Sequence, residues 1–167
     1  MDSLFFEEFC ALQPLLEELL PNERAVIRSI GEYGSQTRGD VLNRHYSSLF
    51  MTGAYGKVIS PCESVYLSAE GLIMQEQRDE VLCEYVKHKL GRTPLFTEPE
   101  DHIAAELAFA AYLADKGSER LNFLTNHILK WIELLEKDLD AFQGGIYKDL
   151  VSLIRAFAEF DRNILSN

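Results

Sequence analysis

Apolar residues recur at intervals of three and four positions along most of this chain, which is the spacing of one buried face of an α-helix. The clearest such segment follows Ser118 and ends at Gly144 and Gly145. Its apolar positions are Leu121, Leu124, Ile128, Trp131, Ile132, Leu135, Leu139 and Phe142. The same spacing predicts further helices in residues 3–20, 22–33, 40–50, 73–90, 97–117 and 146–164, and Pro14 is expected to kink or divide the first. Because almost no segment alternates as a strand does, residues 1–167 are predicted to form an all-α, single-domain helical bundle.

The helical pattern fails between Met51 and Gly71, where glycines and a proline interrupt the chain. Residues 65–67 fit a short strand, although no partner strand is apparent. An irregular loop of about twenty residues is uncommon inside a compact domain and is often functional. The sequence therefore predicts a functional loop at residues 51–71.

An acidic turn precedes the helix that contains Ile103. Thr97 is expected to be its N-cap, with Glu100 completing a capping box. The apolar spacing places Ile103 and Leu107 towards the core, together with Ala110 and Ala114. Asp101 then projects away from the core, towards solvent or a cleft.

His102 lies one helical turn before Glu106, and Asp101 is its immediate neighbour. A carboxylate beside a histidine serves as a general acid–base pair, or it binds a cationic side chain through bidentate hydrogen bonds. A third interpretation is structural: an acidic helix start with a half-buried histidine. Glu106 is assigned to that structural role.

Other signs of catalysis are absent from the sequence. There is no G-x-S-x-G, Walker A or G-x-G-x-x-G pattern. A di-metal site in a helical bundle needs metal-binding residues on paired helices. The candidates His102, Glu106 and His127 do not form such a pattern, because no second paired helix accompanies them. We therefore predict no enzyme, no catalytic residue, no metal and no cofactor. A hydrolase that uses an Asp101/His102 acid–base pair is the alternative.

The composition limits the kinds of partner that this protein is expected to bind. With 16 basic and 27 acidic residues the net charge is −11, which argues against binding to nucleic acid or to anionic lipid. The three cysteines show no C-x-x-C spacing, which argues against a disulfide framework or a zinc site. No apolar run approaches the roughly 18 residues of a membrane span, and the first residues lack the basic stretch of a signal peptide. A cytoplasmic protein without stable membrane insertion is expected.

Three stretches follow one another along the chain: Tyr46-Ser-Ser-Leu49-Phe50, Ser60-Pro61-Cys62-Glu63-Ser64-Val65-Tyr66 and Glu98-Pro99-Glu100-Asp101-His102. In this order they resemble the TorD/DmsD family, the cytoplasmic chaperones of molybdenum-containing oxidoreductases that are also called redox-enzyme maturation proteins. Residues 122–131 are similar to the His-x-x-x-Trp helix of that family, here with His127 and Trp131. The resemblance covers roughly residues 40–160.

The resemblance implies a TorD-like fold and a function. Members bind the twin-arginine signal peptide of a partner reductase, the precursor of a molybdoenzyme catalytic subunit, and assist its maturation before export. Carried over residue by residue, the signal-peptide-binding surface comprises Pro61, Cys62, Ser64, Tyr66, Glu98, Pro99, Asp101 and His102. Residues 1–40 are expected to hold diverged or shortened N-terminal helices, and the protein to be a monomer or a helix-exchanged dimer. A nucleotide sensor ranks last because no phosphate cradle is present.

Overall fold

The computed structural model describes residues 3–36, 39–91 and 96–166, without the side chains of residues 3–6 and 35. Its helices are α1 (Ser3–Leu19), α2 (Arg24–Gln36), α3 (Gly39–Phe50), α4 (Glu63–Leu67), α5 (Glu76–Lys87), α6 (Ile103–Tyr112), α7 (Gly117–Asn126), α8 (Ile128–Ala141) and α9 (Ile146–Leu165), with a 3₁₀ turn at Pro21–Glu23. Within these described ranges the extended backbone pairs only as one isolated bridge. The all-α prediction is confirmed.

Two compact units make up the chain. The first comprises Met1–Ile59 and Glu136–Phe160, and the second comprises Ser60–Leu135 and Asp161–Asn167. All eight residues of the predicted binding surface fall in the second unit. The assignment of residues 1–167 to a single domain stays a prediction.

The N-terminal segment of the first unit is an antiparallel pair of helices. α1 continues through Pro14, so Pro14 does not divide the helix, and the expected kink stays a prediction. Pro14 is exposed, and water there can satisfy the carbonyl that loses its donor. Ile27 and Ile30 of α2 are fully buried, and Arg28 holds Glu17 of α1 with Nη2–Oε2 at 2.8 Å. Residues 1–2 and 37–38 lie outside the described range, and the divergence expected for residues 1–40 stays a prediction.

The predicted loop at residues 51–71 is irregular only in part. Residues 51–62 contain no helix, and the loop is anchored by Ile59, whose N–H donates to the carbonyl of Leu49 at 2.9 Å. The expected strand at residues 65–67 is wrong, because Val65, Tyr66 and Leu67 belong to α4. The reason is a capping contact from a distant residue, described below, which periodicity does not reveal.

The long helix predicted from Ser118 to Phe142 is two helices. α7 ends at Asn126 and α8 begins at Ile128, with His127 between them at φ −121° and ψ −89°. Apolar spacing continues across this break because Leu124, Ile128 and Trp131 are all buried. A change of backbone direction at one residue leaves such a pattern intact, which explains the wrong prediction.

The start and the buried face of α6 also differ from the prediction. The N-cap is His102 rather than Thr97, and residues 97–102 form a turn outside the helix. Glu106, Phe109, Ala110 and Leu113 are buried on this segment, whereas Ala114 is exposed. The buried face of α6 is therefore the row of residues Glu106, Phe109 and Leu113, which lies next to the predicted row of Ile103, Leu107, Ala110 and Ala114 on the helix surface.

Candidate functional site

Two of the three sequence stretches that carry the family resemblance, residues 60–66 and 98–102, lie side by side in the second unit. Cys62 and His102 form an isolated antiparallel bridge. Next to it, the N–H of Glu63 donates to the carbonyl of Asp101 at 2.9 Å. On the other side, the N–H of the residue after His102 donates to the carbonyl of Pro61, also at 2.9 Å. Backbone hydrogen bonds thus join the end of the irregular loop to the acidic turn.

Asp101 lies beneath this junction and is fully buried, so the prediction that it projects towards solvent or a cleft is wrong. Its Oδ2 accepts a hydrogen bond from the backbone N–H of Ser64 at 2.8 Å. Cys62, the N-cap residue of α4, makes no side-chain cap bond. Asp101 therefore caps α4 from another part of the chain and satisfies a helix-terminal N–H that would otherwise be buried without an acceptor.

His102 caps the following helix. Its Nδ1 accepts from the backbone N–H of Ala104 at 3.1 Å, and burial lowers the pKa of the imidazole. Both facts favour the neutral ring, with the proton on Nε2. Among the described residues, the hydrogen bonds of Asp101 and His102 go to backbone N–H groups and not to each other. The structure thus gives no support to the Asp101/His102 acid–base pair.

Two further carboxyl groups are buried behind the junction. Glu63 Oε2 lies 2.9 Å from His127 Nδ1, and Glu106 Oε2 accepts from Trp131 Nε1 at 3.1 Å. Burial is the main reason why the pKa of Glu106 is raised well above its usual range, and the nearby charge of Glu63 raises it further. The raised pKa favours the protonated, neutral form of Glu106 in the folded protein. Glu106 therefore has the structural role predicted for it.

Glu100 is a buried member of an ion pair. Its Oε2 accepts from Arg78 Nε of α5 at 2.6 Å, and its carbonyl accepts from Tyr85 Oη at 2.8 Å. The acidic turn is thereby attached to α5 as well as to α4. Neither apolar spacing nor a motif singles out Arg78, whereas Glu63 lies inside the stretch 60–66 that carries the family resemblance.

The predicted binding residues separate into two groups by exposure. Glu98 is exposed, and Pro61, Tyr66, Pro99 and His102 are half-buried. Cys62, Ser64 and Asp101 are at most 2% exposed. The first group offers surface to a partner. The second group supports that surface from below.

Tyr66 and Cys62 illustrate the difference between the partly exposed group and the buried group. The Tyr66 ring stacks on Trp131, with centroids 5.5 Å apart and planes 20° apart, which fixes the orientation of a partly exposed aromatic ring. Burial raises the pKa of the Cys62 thiol to about 12, so this thiol stays protonated and is no nucleophile at neutral pH.

An apolar cleft of about 440 Å³ opens beside the acidic turn, between α5 and α6. We call it the α5–α6 cleft. It is lined by Leu82, Tyr85, Leu90, Gly91, Phe96, Glu98, Glu100, Ala104, Ala105, Ala108, Phe109 and Tyr112. Its volume lies in the range of ligand-binding pockets, and Leu90 and Tyr112 leave 38% and 44% of their surface exposed.

Two other features are absent from the part of the chain that the structure describes. No helix there is long and apolar enough to cross a membrane. No group of three or more His, Cys, Asp or Glu side chains in those residues is arranged to hold a metal ion.

Comparison with known proteins identifies the class. Residues 11–137 match the model of the family described as nitrate reductase delta subunit. The chain belongs to this TorD-like chaperone family, and the resemblance to TorD/DmsD proteins is confirmed.

Individual relatives carry the name chaperone protein TorD. The chain is 31% identical to that of Shewanella oneidensis over 129 residues, which cover 72% of the chain and 58% of the relative. It is 28% identical to that of Vibrio atlanticus, with 78% and 68% covered, and 24% identical to that of Photobacterium profundum, with 98% and 82% covered. The chain thus spans less than two thirds of the first of these relatives. All three names are those of chaperones and not of enzymes, as predicted.

Proposed function

We propose that this protein is a cytoplasmic chaperone that binds the twin-arginine signal peptide of a molybdenum-cofactor oxidoreductase subunit and assists its maturation before export. The observation that carries the proposal is the junction of residues 60–66 with residues 98–102 beside an apolar cleft. Membership of the TorD-like family supports it. The partner is the precursor of a molybdoenzyme catalytic subunit, and this chain performs no catalysis on it.

The chemistry of the ligand matches the surface around the junction. A twin-arginine signal presents two adjacent guanidinium groups followed by an apolar stretch. Glu98 is exposed on the acidic turn and lines one part of the cleft, where its carboxylate can accept hydrogen bonds from an arginine. An exposed ion pair of this kind contributes only about 0–1 kcal/mol, so burial of the apolar stretch supplies most of the affinity.

The buried members of the predicted surface have an indirect part in this proposal. The hydrogen bond between Asp101 and Ser64 attaches α4 to the acidic turn. The bridge between Cys62 and His102 fixes the backbone of the same turn, to which Glu98 and Pro99 belong. A recognition surface held by backbone hydrogen bonds loses little conformational entropy when the peptide binds. The participation of these buried residues in binding stays a prediction. In this proposal they position the residues that contact the peptide and do not contact it themselves.

Titration calorimetry with the whole chain tests the proposal. The probe is a synthetic peptide with two adjacent arginines followed by an apolar run of about ten residues. The control peptide has two glutamines in place of the arginines. We expect measurable binding of the first peptide, weaker binding of the second, and a loss of the difference at high salt. Equal affinity for both peptides, or no binding of either, would refute the proposal.

A matched pair of variants locates the site. His102→Asn keeps a side-chain acceptor for the N–H of Ala104 and removes the imidazole surface, whereas Ser166→Asn alters an exposed residue near the end of α9. The first variant is expected to fold normally and to bind the arginine peptide more weakly, and the second to match the parent. Unchanged affinity in His102→Asn would remove this residue from the binding surface.

A further inference from the structure

A polar cavity of about 750 Å³ lies between the end of α5 and one side of α7. We call it the α5–α7 cavity, and its lining residues fall within 84–88 and 113–127. All of them belong to the second unit, and none of them also lines the α5–α6 cleft. The volume lies in the range of small-molecule sites, and the proposed function makes no use of this cavity.

His127 presents a ring nitrogen to this cavity. The residue is 6% exposed, and its Nδ1 lies 2.9 Å from Oε2 of Glu63, which is 1% exposed. Among the described residues this is the hydrogen bond that the imidazole makes. Because Nδ1 is engaged by a buried carboxylate and the residue lines the cavity, Nε2 is the ring atom left for a ligand.

The other charged groups of the lining restrict the charge of that ligand. Lys87 Nζ lies 2.6 Å from Glu84 Oε1, and His88 Nε2 lies 2.9 Å from Glu119 Oε2. Two lysines in the lining thus stand against two glutamates. A cavity with this balance compensates at most a single negative charge, which argues against polyanions such as nucleotide phosphates.

Lys116 supplies the cation for a singly charged ligand. It is half-buried, its ammonium lies 5.1 Å from the centroid of the Tyr112 ring, and within the described ranges it forms no ion pair. The ammonium has three N–H donors, and the aromatic ring engages it from one side only. Lys116 and Asn126 bound opposite ends of α7, about 15 Å apart at a rise of 1.5 Å per residue. The long lysine side chain spans part of that distance.

The lining changes character between these two ends. Leu113 and Phe123 are buried and apolar, whereas Asn122 and Asn126 are exposed and carry amides that both donate and accept hydrogen bonds. The cavity therefore offers a cation at one end, apolar surface along its wall, and an imidazole beside an amide at the other end.

We propose that the α5–α7 cavity binds a small organic acid with one carboxylate and a hydroxyl group at its opposite end. The carboxylate pairs with Lys116, and the hydroxyl contacts Nε2 of His127 beside the amide of Asn126. A hydroxyl both donates and accepts, so it fits the imidazole in either protonation state. The methylene groups between the two ends pack on Phe123.

The histidine side chains report binding directly. The chain has four histidines, of which His88 and His127 line the cavity and His45 and His102 do not. The whole protein, labelled with ¹⁵N, is titrated with ω-hydroxycaproate at constant ionic strength, and the imidazole signals are followed by NMR. We expect saturable shifts of the His88 and His127 signals and constant signals from the other two. Parallel shifts of all four, or no shift of His127, would overturn the proposal.

Two matched probes test the chemical class of the ligand. Caproate lacks the hydroxyl, and hexanediol replaces the carboxylate with a second hydroxyl. Each is expected to shift the His127 signal with an affinity about fivefold or more below that of ω-hydroxycaproate, since each loses one polar contact. Equal affinities of all three probes would refute the assignment of a hydroxy acid.

Lys116→Met removes the cation and keeps a long apolar side chain over the Tyr112 ring. Affinity for ω-hydroxycaproate is expected to fall about fivefold or more, whereas that for hexanediol stays at the parent value. Lys130→Met, at an exposed position of α8 outside the lining, removes the same charge and is the control. Equal losses in the two variants would show a general effect of net charge and would contradict a carboxylate at Lys116.

Asn126→Ala tests the opposite end. Asn126 is exposed and alanine has the higher helix propensity, so the variant is expected to fold like the parent. It should reduce the preference for ω-hydroxycaproate over caproate, and Thr125→Ala, an exposed neighbour outside the lining, should leave that preference unchanged. An unaltered preference in Asn126→Ala would remove the amide from the site and overturn the placement of the hydroxyl.

Discussion

The backbone N–H of Ser64 donates to the carboxylate of Asp101 at 2.8 Å, across 37 positions of sequence. This hydrogen bond makes the acidic turn the cap of α4 and links two of the three stretches that resemble TorD/DmsD proteins, residues 60–66 and 98–102. Because Asp101 is fully buried, the contact is enclosed and has no competition from bulk water. The negative charge of this residue therefore serves the architecture of the candidate site more directly than it serves recognition.

Removal of that cap should destabilise the protein. Asp101→Ala deletes the acceptor of the Ser64 N–H and leaves a buried donor unsatisfied, which costs about 1–3 kcal/mol. Asp101→Asn retains an oxygen in the same place and is expected to lose less. Urea unfolding, followed by circular dichroism, measures both. Equal midpoints for Asp101→Ala and the parent would show that the hydrogen bond contributes nothing to stability.

The buried pair Glu63/Glu106 makes stability depend on pH. The raised pKa of Glu106 means that the folded protein keeps a proton that the unfolded chain releases above the ordinary glutamate value of 4.5. The contribution of this group to the free energy of unfolding is thus complete below that value and is lost as the pH rises towards the folded pKa. We expect Glu106→Gln, whose amide imitates the protonated acid, to flatten this loss and to be at least as stable as the parent at pH 7.

Glu106→Ala is the matched variant for that experiment. It leaves the Nε1–H of Trp131 without its acceptor and is expected to cost about 1–3 kcal/mol. Chemical unfolding at pH 4.5, 6 and 7.5 compares the three proteins. A pH profile of Glu106→Gln that follows the parent would show that the proton is not held by this pair.

The Arg78–Glu100 ion pair should be tested as a pair, because both members are at least partly buried. Arg78→Met leaves the carboxylate of Glu100 without this partner and is expected to lower the free energy of unfolding on the order of 3 kcal/mol. Adding Glu100→Gln removes the uncompensated charge, and we expect it to restore much of the loss. If the two substitutions are additive in a double-mutant cycle, the contact carries no coupling energy.

The charge of Glu98 should affect binding of the peptide. Glu98→Gln is expected to weaken an arginine peptide by up to about fivefold, consistent with the small energy of an exposed ion pair, and to reduce the salt dependence of binding. Glu70→Gln, which removes an exposed charge after α4, is the control for the overall acidic charge. Equal effects of both substitutions would point to long-range attraction instead of a local contact.

Cysteine labelling tests the burial of the loop junction. Cys10 and Cys83 are exposed, whereas Cys62 is 2% exposed and its pKa is raised to about 12. Iodoacetamide at pH 8 is expected to modify the two exposed thiols in the native protein and to modify Cys62 only after denaturation. Mass spectrometry of the digested protein gives the result, and rapid native labelling of Cys62 would contradict the buried bridge.

Local pattern was sufficient for the class of fold. The spacing of apolar residues predicts α2, α3, α5 and α9 within a few positions, because a helix is formed by contacts three and four residues apart. The acidic turn and the stretch around Pro61 were also recognisable as the candidate site, because their residue types and order resemble a known family.

The features that local pattern did not predict depend on contacts between residues distant in sequence. The bridge between Cys62 and His102 holds residues 99–102 outside the helix, so that His102 caps α6 and the buried face begins at Glu106. No local signal distinguishes a carboxylate such as Asp101, which accepts from a backbone N–H, from one such as Glu98, which faces solvent.

The sequence by itself determined that the chain is helical, acidic and a member of the TorD-like family, since these properties are carried by composition, periodicity and short motifs. Only the tertiary structure decided that Asp101 supports the site from within, that Glu98 is exposed at the edge of the α5–α6 cleft, and that the alanines of α6 leave this cleft open. The physical reason is that burial and space depend on which distant segments pack together.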